Sequence, residues 1–394
     1  MNFTLVCDIM LDLEGSIRPA TYLARELNAR GNNVSMMSPM MSREVEDHLS
    51  AVGITPVNLH ASLAAKSSGL SMLWLETWAR EAFLRLNSRH VIEESSMVIN
   101  FSQVISAPSS IWYLQGPPSL ALKDMEKELS PSLRMMYDLF RPVIDYADVR
   151  LVSRMDRRSR LVIANSKFCA SMYSSFGVKT DCVIYPPIDC KTFRPSTSTP
   201  LSDYVLTYLG KETKFSILKS VADLGLNIKA FGSKTSFIPR GLLKHPNVEF
   251  FGRVSTKELV DLYSNARFTM FPFTHEPFGY VPLESMACGT PVLTYDFQGP
   301  SEYVVNAYTG WLVRTDRELV QKSIELWKEE YPSQTRTNCV KEALKFDKRT
   351  YNEQWLEILG KLCDDQSVFP ICEDDQNDAA LKEFTQTEEL RVLS

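Results

Sequence analysis

Two glutamates, Glu276 and Glu284, have seven residues between them in the stretch FPFTHEPFGYVPLESMACGTPVLT, residues 271–294. Ionised carboxylates only accept hydrogen bonds, which suits them to paired sugar or ribose hydroxyls. Pro277-Phe278-Gly279-Tyr280-Val281 leads from the first glutamate towards the second. A loop entering a helix exposes unpaired backbone N–H groups that favour phosphate. Gly279 permits close approach of a ligand to that backbone. Hydroxyl acceptors beside anion donors are what a nucleotide-sugar needs. A glutamate pair alone is also what an ordinary helix N-terminus favours, so the surroundings must decide.

Those surroundings read as strand, loop, helix, strand. The apolar run ending at Phe273 predicts a strand, and Thr274-His275-Glu276-Pro277 a polar turn. Pro282 is tolerable in a first helical turn, Gly289 suits a helix stop, and Val292 to Tyr295 predicts the next strand. A second anion site is expected where a strand over Tyr204–Leu209 runs into Gly210-Lys211-Glu212-Thr213-Lys214. Lys211 and Lys214 would supply mobile point charges there. Near the start, a strand over Phe3–Cys7, a loop containing Gly15, a helix over Arg18–Arg30 and a strand over Val34–Met37 form a βαβ unit. Its loop lies where such units hold phosphates. Gln115 follows a strand over Ile111–Leu114, at an end that faces the ligand crevice in open α/β sheets. Gly252-Arg253-Val254-Ser255 makes a turn, with Ser255 as helix N-cap and Glu258 at the capping-box position.

The pattern E-x-F-G-x4-E-x-M-A-x-G-x-P-V, after an apolar strand, resembles the donor-site signature of the family-four retaining glycosyltransferases. The pieces Asn165-Ser166-Lys167-Phe168 and Tyr185-Pro186-Pro187-Ile188-Asp189 resemble that family's domain-closing segment. The resemblance implies an α/β protein of GT-B architecture, with two Rossmann-like domains facing a central cleft. It implies transfer of a sugar, with retention, from a UDP- or GDP-linked donor to a glycan or lipid-linked acceptor. Glu284 would bind the ribose hydroxyls and Glu276 would orient the donor sugar. Backbone groups of Pro277, Phe278, Gly279, Tyr280 and Val281 would hold sugar and phosphate. Lys211 and Lys214 would neutralise the leaving diphosphate, with Gly15 near the donor phosphates and Arg253 and Val254 near the base. Three departures stand out. Gln115 occupies the place of a family His, Lys211 replaces an Arg with Lys214 two residues early, and Gly15 is single where two glycines are common.

The implied layout is a first domain over residues 1–195 on the acceptor side, a linker over 196–203 and a nucleotide-sugar domain over 204–349. A helix over 350–362 crosses back to the first domain, and an acidic, mobile tail over 363–394 holds nine Asp or Glu against two Lys or Arg. The chain has 394 residues and a net charge of −5, so no basic field argues for nucleic acid. The eight cysteines show no metal spacing, and there is no D-x-D pair to hold a metal on a diphosphate. A metal-independent, cofactor-free enzyme is expected. The opening MNFTLVCDIM lacks a signal peptide's basic region, and no apolar run spans a membrane. A cytoplasmic protein is expected, peripheral at the inner membrane face if Arg150, Arg154, Arg157, Arg158 and Arg160 form a basic surface. Met125 to Tyr146 reads as a helix or helix pair interrupted by Pro131 and Pro142. Two rival readings are a non-catalytic GT-B partner subunit and a nucleotide-sugar epimerase-type enzyme.

Overall fold

A computed structural model describes residues 1–63, 70–83, 97–126, 131–197, 200–232 and 238–364. Residues 1–358 form one compact unit, apart from 359–394. The tail expected to be mobile, apart from its first two residues, lies outside the described residues.

The first sheet contains β1 (Asn2–Val6), β2 (Asn33–Ser38), β3 (Thr55–Asn58), β4 (Met97–Asn100), β5 (Ser109–Leu114), β6 (Ser159–Ala164) and β7 (Cys182–Val183). Its order is β3-β2-β1-β4-β5-β6-β7, and every pairing is parallel. Helices α1 (Arg18–Ala29), α2 (Arg43–Ala51), α3 (Leu70–Phe83), α4 (Pro118–Met125), α5 (Pro131–Arg157) and α6 (Lys167–Ser174) connect these strands. The second sheet contains β8 (Val205–Tyr208), β9 (Ile228–Phe231), β10 (Val248–Phe250), β11 (Phe268–Phe271), β12 (Val292–Tyr295) and β13 (Gly310–Val313). It is also parallel, in the order β10-β9-β8-β11-β12-β13. Helices α7 (Phe215–Asp223), α8 (Arg240–Leu243), α9 (Thr256–Asn265), α10 (Tyr280–Ala287), α11 (Asp316–Lys328), α12 (Gln334–Ala343) and α13 (Lys348–Asp364) complete it.

Parallel sheets are covered on both faces, so their central strands are buried along their length. All six residues of β5 and all four of β11 and β12 are buried. Around the first sheet the core includes Trp112, Leu114, Leu151 and Tyr173. Around the second it includes Phe271, Phe278, Leu283 and Met286 on one side, and Leu218, Met270 and Leu293 on the other. The start of α13 returns to the first sheet. Its Tyr351 hydroxyl donates to the Pro19 carbonyl at 2.9 Å, and Trp355 packs 5.5 Å from Phe101 and 5.7 Å from Tyr113.

Two expectations need correction. Pro142 does not interrupt its helix; α5 runs from Pro131 to Arg157 with Pro142 inside. Proline removes one backbone hydrogen bond, to the carbonyl four residues earlier. Here Asp138 and Pro142 lie on an exposed side of the helix, where water can satisfy the released carbonyl. The run of arginines is not one basic surface. Arg154 is buried and donates to the carbonyls of Glu81 at 2.8 Å and Ala82 at 3.2 Å. Arg158 donates to the Ser106 carbonyl at 2.8 Å. The two side chains tie α5 and the turn that follows it to neighbouring backbone.

Candidate donor site

The carboxyl ends of β8, β11 and β12 converge on the stretch that carries both glutamates. After β11, residues 272–274 are stitched to the lysine loop. Lys214 N–H donates to the Pro272 carbonyl and Thr274 N–H to the Glu212 carbonyl, each at 2.9 Å. Gly279 caps α10 at φ +94°, a conformation reserved largely for glycine. A methyl group there would stand 2.8 Å from Pro300 Cγ and 3.0 Å from the Tyr303 hydroxyl. The Gly299 N–H donates to the Glu276 carbonyl at 3.0 Å, which fixes the loop from the β12 side.

The two glutamates occupy opposite electrostatic settings. Glu276 sits beside a second carboxylate, Glu212, and accepts from the Phe278 N–H at 3.3 Å. Its surroundings push its carboxyl up to about 8; burial is the main cause and the Glu212 charge the next, opposed by the N–H groups of Phe278 and Gly279 and by Lys211. Some of its side chain still meets solvent. Glu284 is buried, 3% exposed, on α10. Its Oε1 accepts from Arg18 Nη1 at 2.6 Å and its Oε2 from the Tyr263 hydroxyl at 3.2 Å. Burial pushes this carboxyl up, while the Arg18 charge and both hydrogen bonds pull it down. With a guanidinium at 2.6 Å, the charged pair is the consistent state. Arg18 itself is held protonated: burial opposes its charge, and Glu284 outweighs that.

Arg18 opens α1 in the first sheet's half, so this ion pair joins the two halves. Further ties lie nearby. The Ser166 hydroxyl, N-cap of α6, donates to the Pro277 carbonyl at 2.6 Å. Glu302 accepts from the Lys167 and Phe168 N–H groups at 2.9 and 2.7 Å, and from the Tyr185 hydroxyl at 2.9 Å. A carboxylate at a helix N-terminus is favourable. His275 Nδ1 lies 2.8 Å from Asp124 Oδ2. The halves approach so closely that a methyl group on Gly116, at φ +124°, would stand 2.9 Å from Pro277 Cγ.

The remaining sequence candidates divide. Pro277, Phe278, Gly279, Tyr280 and Val281 form one continuous loop and helix start between the glutamates. Lys211 is near, with Nζ 3.4 Å from Glu212 Oε1. Lys214 is engaged elsewhere: its Nζ pairs with Asp316 at 2.7 Å and lies over the Tyr295 ring at 4.5 Å. Gln115 is buried and donates to the Phe101 carbonyl at 2.5 Å. Gly15 begins a short 3-10 turn at φ +59°. Arg253 is exposed and reaches Asp12 at 3.3 Å, while Val254 packs on the second core. Among the described residues, no group of three or more His, Cys, Asp or Glu side chains could hold a metal, and no helix is long and apolar enough to cross a membrane.

Residues 240–346 match the family described as glycosyl transferases group 1. An uncharacterized glycosyltransferase of Methanocaldococcus jannaschii is 29% identical over 118 residues, covering 28% of this chain and 33% of that protein. The D-inositol 3-phosphate glycosyltransferase of Mycobacterium tuberculosis is 28% identical over 194 residues, covering 43% of this chain and 38% of that protein. The matches thus span well under half of either relative's length. Over nearly the whole chain, the structure is similar to Anabaena HepE solved in complex with UDP and glucose. The TM-score is 0.64 at 17% identity, covering 91% of this chain and 99% of that one. The fold is GT-B.

The segment matched to the family contains both Glu276 and Glu284. Arg18, Glu14, Tyr263, Glu212 and Asp124 are the residues that sequence reasoning missed. For Arg18 no local signal existed, since it lies 266 residues from its partner. For Glu212 there was one: it stands between the two lysines of a loop already singled out.

Proposed function

We propose that this chain is a retaining hexosyltransferase that moves a sugar from a nucleoside diphosphate donor to a glycan or lipid-linked acceptor. The observation that carries the reading is the family-matched segment at the carboxyl ends of the second sheet, with both glutamates flanking a helix N-terminus. UDP is the favoured nucleotide, because a GT-B neighbour covering 91% of this chain was solved with UDP and glucose. Glu284 accepts hydrogen bonds from the ribose hydroxyls. Glu276, neutral at pH 7 with its carboxyl near 8, donates to as well as accepts from the sugar hydroxyls. The N–H groups over residues 278–281 and the Lys211 ammonium stabilise the departing diphosphate. One such preorganised donor is worth about 3 kcal/mol of barrier. No metal ion is required in this scheme. The close approach of the two halves excludes water from the reacting centre.

The acceptor belongs to the first-sheet side. There α5 turns Met135, Met136, Leu139, Phe140 and Val143 outward, each more than half exposed. An apolar face of that kind suits a lipid-linked acceptor at a membrane surface, and Arg157 and Arg160 remain on the exposed side.

The test is release of nucleoside diphosphate from UDP- and GDP-sugars, with EDTA present, and NMR of the product's anomeric proton. The reading predicts turnover with one base, retention, and a fall of at least about 100-fold in Glu276→Gln. Nucleotide binding without turnover on any donor would favour a non-catalytic partner subunit, which the Lys214–Asp316 pairing also suits. Neither binding nor turnover would overturn the donor site.

A further inference from the structure

The carboxylate assigned to the ribose is buried and already bonded at both oxygens. Glu284 offers two oxygens; Arg18 holds one and Tyr263 the other. Arg18 is also gripped by Glu14, whose Oε2 accepts from Arg18 Nε at 3.2 Å and from Arg18 Nη2. The guanidinium lies 4.3 Å from the centre of the Tyr280 ring, over the first turn of α10. So the cation covers the segment where the donor would sit. Each oxygen keeps a lone pair free, but Glu284 is only 3% exposed, so a ribose reaches it only where Arg18 moves aside.

Displacement by a neutral diol is costly. It strips a mostly buried guanidinium, 18% exposed, of its buried partner, and breaking one side of such a pair is strongly unfavourable. A nucleoside diphosphate carries its own remedy, because its phosphates are bonded next to the ribose. A guanidinium leaving the ribose carboxylate meets an anion that takes its planar fork in a bidentate manner. The lysine loop lacks such a fork. Lys211 and Lys214 are ammonium groups, and Lys214 is spent on Asp316.

We propose that Arg18 gates the donor site: it holds Glu284 when no donor is bound, and transfers to the donor diphosphate when the ribose takes its place. The inference rests on the donor-site reading above. It makes recognition conditional on phosphate, since a nucleoside without phosphates opens the gate and leaves the cation with only the exposed Glu14 in place of its buried partner. Glu14, with its side chain 62% exposed, is the anchor on which Arg18 pivots.

The test is calorimetric titration of the full chain. A panel of UDP, GDP and ADP first selects the base; the matching nucleoside is then compared with its diphosphate. In Arg18→Met, diphosphate affinity should fall at least tenfold while nucleoside affinity holds or rises. Glu14→Gln keeps Arg18 and its contact to Glu284, so it guards against a folding defect in the first variant. There the ratio of diphosphate to nucleoside affinity should rise two- to threefold, because a competing anion has gone. If the parent binds a diphosphate and both variants leave that ratio unchanged, the gate is overturned and the donor site stands. If the parent binds no nucleoside diphosphate, the donor-site reading fails and the gate with it.

Discussion

Glu276 and Glu284 belong to one motif, yet the fold gives them opposite neighbours. Glu276 faces another carboxylate, Glu212, and is pushed towards the neutral acid. Glu284 faces a guanidinium and a phenol, and stays charged. The same residue type at the two ends of a nine-residue pattern therefore sits in two different electrostatic settings. The neutral acid can donate to a sugar hydroxyl; the carboxylate can only accept. Spacing sets which residues share the loop and helix start, and the rest of the fold sets their charge.

The comparison can be broken most severely at the charged end. Glu284→Ala leaves Arg18 without its buried partner, and stability should fall by about 3 kcal/mol. Urea denaturation measures this; a loss under about 1 kcal/mol would mean that the pair is not the charged, desolvated contact described here.

The neutral end gives a smaller effect with a definite sign. The Glu276 carboxyl rises from the ordinary 4.5 to about 8 on folding. In that window the folded state binds more protons than the unfolded one, so stability falls with pH. Its contribution is complete below about pH 4.5 and is lost as pH rises to about 8. Glu276→Gln removes the titration. Relative to the parent it should gain about 2 kcal/mol at pH 9 over pH 5, less than the full shift implies because part of the side chain meets water. Thermal melts across pH decide, and parallel curves for the two proteins would contradict the assignment.

The smallest change sharpens the contrast. Tyr263→Phe removes only the second hydrogen bond on Glu284 and should cost about 1 kcal/mol. A much larger loss would show that the phenol, and not Arg18, is the main support of that carboxylate.

Much of this architecture is legible in local pattern. Ser255 and Glu258 form the capping box that their spacing predicts, and Ser166 caps α6. Strands β5, β11 and β12 are mostly apolar and buried throughout, because both faces are covered. The site was legible to the extent that its residues are sequence neighbours: Glu276 through Val281 and Glu284 share one loop and one helix. What closes it was not. Arg18, Asp124 and Ser166 reach the second half from 111 to 266 residues away, and no periodicity encodes such pairs. Lys214 shows the converse. Its type suits a diphosphate, and the structure pairs it with Asp316, 102 residues on. Arg154 looked like surface among its basic neighbours, yet it faces inward because Glu81 and Ala82 present carbonyls that need donors.

The most direct test of the central claim is calorimetric titration of UDP into the parent chain and into Glu284→Ala, with circular dichroism confirming that the variant is folded. The account predicts saturable one-to-one binding to the parent and at least a tenfold loss in the variant. Equal affinity in the two folded proteins would contradict it, because Glu284 would then not be the carboxylate that holds the donor.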